Sequence, residues 1–465
     1  MMKITHKQVK EWLFLLPFFL YEDMVLSAIM LVLGFALLKY EKIDHAISEL
    51  EWREYLFFIY MFHMMFGERD FAYVGFEPLF ITEIVIFALA VSYARELLKI
   101  RKTLFVYYLV VLIGLAFAFL YFPANQLDAI RDSFMLVYAI WVPIVYHVFR
   151  SEKHYDLFFV LLKLFIVLKA VSYFYEAVLI LAGMRSLSFE GFRFGVGYIV
   201  PSLIVITIFL PLKYIDFKYK LVALVMIPAV FTMFHRSLFV GITLAILLMF
   251  AIGSNLTRRK IVTYGMISLT LMIAFLFYYN SVVDVNLFQI LETKTSLEEG
   301  NINYRFLSWQ HVLDKFYEHY ILGFGVGRPL FFSQYNIFYS TVEMTYFQIR
   351  DLEGNAQPHN SYLNMLARFG VLLFPILMYA ILKPLKKIPE FLNIKRKGGD
   401  HAYSKFLFLM AFLIIMYVWA FFNVVLEGPH HSFHFWLATG MILSFGRAGN
   451  FSKKYVRIRK TTPGS

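Results

Sequence analysis

The chain has 465 residues, of which 60% are hydrophobic and 16% charged, with a mean hydropathy of +0.65. Soluble domains run about 45–50% apolar and about 25% charged, so this excess excludes an ordinary soluble domain and has to face lipid. The lack of Cys excludes disulfides, thiolate metal sites and cysteine nucleophiles. The net charge of +12 sits in short loops between apolar stretches, so it reads as orientation in a membrane and not as a nucleic-acid surface.

In chain order, the basic start (Lys3, Lys7, Lys10) leads into an apolar stretch with no A-x-A site, so no cleavable signal peptide is expected. A spanning helix needs about 20 apolar residues. Candidate spans fall near 17–39, 76–94, 103–122, 133–150, 157–182, 194–212, 219–234, 237–253, 260–280, 362–383, 403–423 and 431–447. Connections after alternate spans are basic: Arg95 to Lys102, Arg150 and Lys153, Lys213 to Lys220, Arg258 to Lys260, Lys386 to Lys397, and a tail with Lys453 to Lys460. By the positive-inside rule these lie in the cytoplasm, and so do both termini. Tyr55 to Phe66 is too short for a span and reads as an interfacial or re-entrant helix in an outer excursion, 40–75. The expected fold is therefore all-α, a polytopic membrane protein of about twelve transmembrane helices with one long, partly helical outer loop. It divides into 1–280 (nine spans), 281–361 (the loop) and 362–460 (three spans and a basic tail). Residues 461–465, Thr-Thr-Pro-Gly-Ser, read as an added remnant.

The loop carries the most distinctive chemistry. Phe306, Trp309, Leu313 and Phe316 fall at helical spacing, and Arg305 stands one residue before that stripe. Gly323-Phe-Gly-Val-Gly327 follows, with Gly325 at its centre, a loop whose glycines let backbone approach a ligand closely. It is not a dinucleotide fingerprint, because its spacing is wrong and no strand precedes it. In Pro358-His-Asn-Ser-Tyr-Leu, Asn360 or Ser361 can cap the next helix. His359 then stands before a helix N-terminus, whose dipole disfavours imidazolium and leaves a neutral ring able to accept a proton. Arg236 sits in the tight turn His-Arg-Ser, and Arg193 in Gly-Phe-Arg-Phe-Gly-Val-Gly (191–197). Snorkelling at the interface is one reading of these outer arginines. The other is an anion site, since guanidinium grips phosphate bidentately and stays charged.

Arg305, Trp309 and Gly323–Gly327, followed by Pro358-His-Asn-Ser-Tyr-Leu and Ala367-Arg-Phe-Gly370, resemble the O-antigen polymerase and ligase family of membrane glycosyltransferases. The resemblance is sharp over 300–372 and looser over 230–240, where His235 stands in place of the family's usual Ser. It implies a donor glycan on undecaprenyl diphosphate, transferred on the periplasmic face of the bacterial inner membrane to a sugar hydroxyl of a second lipid-linked unit or of lipid A–core. Membrane lipids and chain-length regulator proteins are further partners it implies. By motif, His359 matches the general base, and Arg305 and Arg236 match the diphosphate-binding residues. Arg193, Asn360 and Gly325 are added as substrate-binding candidates. No cofactor or metal is expected, because a diphosphate leaving group needs charge stabilisation that arginines supply.

Three signals are weaker. His430-His-Ser-Phe-His434 could bind zinc or line an acceptor site, and Asp351 and Glu353 could hold a divalent ion. Lys169 and Glu176 share one helix face inside an apolar stretch, where such residues usually face the bundle interior. A glycolipid flippase is the competing class, but a transporter places its polar residues near the midplane and often in broken helices. A scaffold would need no polar cluster.

Overall fold

A computed structural model of the chain describes residues 6–20, 23–76, 79–99, 102, 105–110, 112–113, 116, 133, 135–182, 199–227, 236–282, 300–326, 358–396 and 400–445. Among them the fold is helical apart from one hairpin, in which Gly75 pairs with Phe80 and Phe76 with Leu79. Apolar segments take this form because lipid offers no partner to a backbone N–H or C=O, and a helix satisfies both internally. Helix starts are capped. The Asp23 side chain accepts from Leu26 N at 2.9 Å to open Met24–Tyr40, and Glu54 reaches back to Glu51 N at 3.2 Å to open Trp52–Ala72.

Three helices are long and apolar enough to cross a membrane: Glu152–Leu179, Ser361–Leu392 and His401–Phe422. Met24–Tyr40, Ile81–Ser92, Met135–Val148 and Ser237–Ile252 are apolar but shorter. The described residues thus support a membrane-type helical bundle and not the expected count of twelve spans.

The core is aromatic and tight. Pro429–Phe445 is buried along nearly its whole length and packs on Trp141–Val148 and Asp400–Phe422. Gly440 permits this, since a Cβ there would meet the Val145 side chain at 2.6 Å.

Two parts of the N-terminal half differ from expectation. The candidate span 17–39 is a 3₁₀ turn, Leu16–Leu20, followed after Asp23 by the helix Met24–Tyr40. His6–Leu15 and that turn run antiparallel to Met24–Tyr40: Glu11 meets Lys39 at 2.5 Å, and Leu15 lies against Gly34. The stretch 55–66 belongs to a longer helix, Trp52–Ala72, with Phe57, Phe58, Met61, Phe62 and Met64 fully buried. Its apolar window looked short because Glu54, Glu68, Arg69 and Asp70 lie within its ends. Glu41, Glu49, Arg53 and Glu54 pair with residues in or beside the basic connections: Glu41 with Lys218 at 3.6 Å, Glu49 with Lys153 at 2.5 Å, Arg53 with Glu96 at 3.0 Å and Glu54 with His154 at 3.3 Å. Residues 41–54 therefore lie at the end of the bundle that carries the basic connections. Tyr73, past the far end of the same helix, meets the His430 ring edge-on at 5.8 Å at the opposite end. Residues 40–75, expected as one outer excursion, therefore reach from one end of the bundle to the other.

Candidate active site

The helix Gly300–Glu318 forms where the apolar stripe predicts one. Its buried face is rotated from that stripe: Ser308, Val312 and Phe316 are buried, whereas Phe306 is 62% exposed. Val312 and Phe316 pack with Phe324, Ala367, Leu363 and Leu366. The small Ala367 lets this helix settle against Ser361–Leu382, and that contact sets the rotation.

Ser361–Leu382 is broken. Gly370 has φ 61° and ψ 179° inside it, so the first half ends with carbonyls that have no helical partner. The glycine loop supplies the partners: Phe324 N donates to Ala367 O at 2.6 Å and Gly325 N to Arg368 O at 3.0 Å. In return Val371 N and Leu372 N, which open the second half, donate to Tyr320 O at 2.9 Å and Ile321 O at 3.1 Å. Two chains cross backbone to backbone here. A Cβ on Gly370 would lie 2.3 Å from Ile321 O, and one on Gly323 (φ +81°) 2.4 Å from the Arg368 carbonyl. Arg368 locks the crossing, with Nη1 donating to Gly325 O at 3.2 Å and Nε to Asn364 Oδ1 at 2.9 Å. Gly325 is buried, and both of its backbone polar groups go to Arg368. It builds the clamp through both of these bonds.

His359 is held out between two anchored residues. Trp309 Nε1 donates to Pro358 O at 2.7 Å. Asn360, 4% exposed, caps the next helix by accepting from Leu363 N at 3.0 Å, so of the two cap candidates Asn360 is the cap. Between them His359 is exposed and has φ 47°, a left-handed conformation costing a non-glycine residue about 1–2 kcal/mol. Such strain persists where surrounding contacts impose it, and it clusters at functional sites. Arg305 stands one turn before Trp309 on the same helix face, and its charge acts on the His359 ring. Burial, then that charge, lower the His359 pKa from 6.5 to about 4. One face of the residue is open to water, and the imidazole is neutral at pH 7.

Beneath His359 lies a network that sequence reasoning did not find. Ser361 Oγ donates to Glu427 Oε2 at 2.5 Å, with Asn423 O 3.2 Å away, and accepts from Val425 N at 2.9 Å and Leu426 N at 3.2 Å. Asn364 Nδ2 donates to Glu427 Oε1 at 2.9 Å. Burial raises the Glu427 carboxyl above its ordinary value, and Ser361, Asn364 and the charge of Arg368 pull it back. Asn423 Nδ2 in turn donates to Ser237 Oγ at 2.8 Å. The only signal for this network was a lone acid, Glu427, in an apolar connection.

Of the predicted site residues, His359, Asn360 and Arg305 are brought together. Arg236 begins the helix Arg236–Ile252, and its neighbour Ser237 joins the same network through Asn423, so the start of this helix is linked to the His359 segment. Arg193, Asp351 and Glu353 lie outside the described residues. His430, His431 and His434 are buried at the start of Pro429–Phe445, and no group of three potential ligands is placed to hold a metal among the described residues. Lys169 sits over the Phe66 ring at 4.5 Å and in the field of Glu68 and Asp70.

Residues 221–378 match the O-antigen ligase family model. The resemblance read from the motifs is thus one of family: this part of the chain is a domain of the O-antigen polymerase and ligase family. The match spans Arg236, Arg305, Gly325 and His359, supports a glycosyltransferase-like activity in lipopolysaccharide biosynthesis, and does not separate polymerase from ligase. A comparison with curated proteins finds no match.

Proposed function

We propose that the chain is a polymerase of O-antigen or a related surface polysaccharide. It transfers an undecaprenyl diphosphate-linked glycan to a sugar hydroxyl of a second lipid-linked unit on the periplasmic face of the inner membrane, with both termini cytoplasmic. The observation that carries this reading is His359, exposed, backbone-strained and neutral, in the field of Arg305. The acceptor hydroxyl passes its proton to a ring nitrogen of His359 as its oxygen bonds to the anomeric carbon. The bond from that carbon to the diphosphate oxygen breaks, and the electron pair leaves on undecaprenyl diphosphate. A single displacement inverts the anomeric carbon. Arg305, Arg236 and Arg193 bind the diphosphate and hold the charge that develops on it, so no metal is required.

The ligase reading uses the same groups and differs only in the acceptor, lipid A–core. The Phe, Tyr, Ile and Lys bias of the chain favours polymerase. The flippase reading is disfavoured because His359, Arg305 and the start of Arg236–Ile252 converge at one end of the bundle, away from a midplane site.

Lipopolysaccharide banding with and without the gene separates these readings. Core plus a single repeat in the deletion strain means polymerase. Bare core with long polymer still on the lipid carrier means ligase, and an unchanged ladder points to another surface glycan and then to the transporter reading. His359→Ala should reproduce the deletion pattern at unchanged protein level in the membrane, and retained laddering would remove the base. EDTA should leave transfer unchanged in purified protein; inactivation would return Asp351 and Glu353 as ligand candidates.

A further inference from the structure

Glu427 lies outside the stretch that matches the family, yet its carboxylate closes the network under the catalytic segment. Its two partners fix what it must be. The Ser361 hydroxyl already accepts from Val425 N and Leu426 N, so both its lone pairs are used and toward residue 427 it can only donate. The Asn364 amide oxygen takes Arg368 Nε, so its Nδ2 end faces residue 427 and also donates. Position 427 therefore has to accept twice, which a carboxylate does and a glutamine, with one acceptor and one donor group, does not. Ser361 and Asn364 form the first turn of the helix that Asn360 caps, two and five residues after His359. On the near side Trp309 fixes Pro358. The left-handed backbone of His359 is thus imposed from one side by the tryptophan and from the other by the carboxylate.

We propose that Glu427 is a positioning residue: by accepting from both Ser361 and Asn364 it fixes the helix turn that holds the His359 ring where the acceptor hydroxyl arrives. The proposal rests on His359 being the base. Glu427 itself touches no reacting atom, and it acts through geometry and not through the charge on His359, whose field comes from Arg305.

The test uses full-length protein in bilayer nanodiscs and an undecaprenyl diphosphate-linked repeat unit as donor and acceptor. Glu427→Ala and Glu427→Gln should each lower the transfer rate about tenfold or more, the scale expected when a catalytic group is misplaced by about 1 Å. The deciding comparison is made in His359→Ala rescued by free imidazole, where the base comes from solution. There Glu427→Ala should change the rate by less than about twofold, because a residue that acts only through His359 has nothing left to position. A merely structural residue would lower both rates alike. Equal losses in the two backgrounds, or full activity in Glu427→Gln, overturn the proposal. His359→Ala that is active without imidazole overturns the base reading instead, whatever Glu427 does. Should imidazole fail to rescue, the comparison is made on the ring itself. Glu427→Gln should alter the rate of His359 modification by diethyl pyrocarbonate while the exposed His45 reacts unchanged, and an unaltered His359 rate overturns the proposal.

Discussion

At His359 the two influences that set its charge act in the same direction, and they can be separated by experiment. Burial is the larger, and the Arg305 guanidinium adds to it, which together bring the pKa from 6.5 to about 4. A base works while neutral, so activity should fall as pH drops through about 4, not through 6.5. The folded state likewise binds a proton less readily here than the unfolded chain, so the stability linked to His359 is present above pH 6.5 and is lost as pH falls from there to about 4. Arg305→Gln removes the charge and should move the acid limb of the rate profile part of the way up toward 6.5. Arg305→Lys keeps the charge and loses the bidentate fork, so the limb should stay while kcat/KM falls. Identical limbs in the two variants would take Arg305 out of the neighbourhood of His359. His359 and Arg305 were legible in the sequence because their residue types and settings point to proton transfer and diphosphate binding. Glu427 was not, because its partners Ser361 and Asn364 are distant in sequence and only the folded bundle brings them into hydrogen-bonding range.

At the scale of elements the glycines of 323–327 were legible as a site of close approach, but not what approaches. They face another backbone. Gly323 and Gly370 each need a left-handed conformation and also lack room for a Cβ. The crossing they allow satisfies the polar groups freed by the helix break, which are costly to leave unpaired in so apolar a setting. Gly370→Ala and Gly323→Ala should each lower the thermal unfolding midpoint by several degrees, because about 1–2 kcal/mol of backbone strain is added to a clash with main-chain atoms that cannot rotate away. Gly265 is the control. It lies within Asn255–Val282, a Cβ there meets nothing within 4 Å, and Ala in a helix interior is favoured over Gly by about 0.5–1 kcal/mol. Gly265→Ala should leave the midpoint unchanged or raise it. An equal midpoint in all three variants would mean that the crossing contributes nothing to stability. The rotation of the Gly300–Glu318 face was illegible for a related reason: the stripe in the sequence is the same whichever neighbour the helix meets, and Ala367 decides it.

At the scale of the molecule the sequence placed residues 40–75 in one outer excursion because Tyr55–Phe66 is too short for a span, and the structure instead puts the two ends of that segment at opposite ends of the bundle. Acids contribute little to orientation, yet Glu41 and Glu49 find lysines of the basic connections, Glu54 meets His154, and Arg53 finds Glu96. Exposed pairs of this kind add little stability, but their geometry fixes which end of the bundle holds the segment. Trp52–Ala72 has 21 residues and breaks near its end at Glu68, where φ is 42° and ψ −111°. Trp52–Ala72, which joins the end holding residues 41–54 to the end holding Tyr73, should therefore cross the membrane. The lack of Cys makes the test direct. Glu51→Cys, Ser151→Cys and Asp314→Cys each place one thiol at an exposed position. In intact spheroplasts a membrane-impermeant maleimide should label Asp314→Cys alone, and in inverted vesicles Glu51→Cys and Ser151→Cys together. Labelling of Glu51→Cys alongside Asp314→Cys would restore the outer excursion and detach Trp52–Ala72 from its place as a crossing helix.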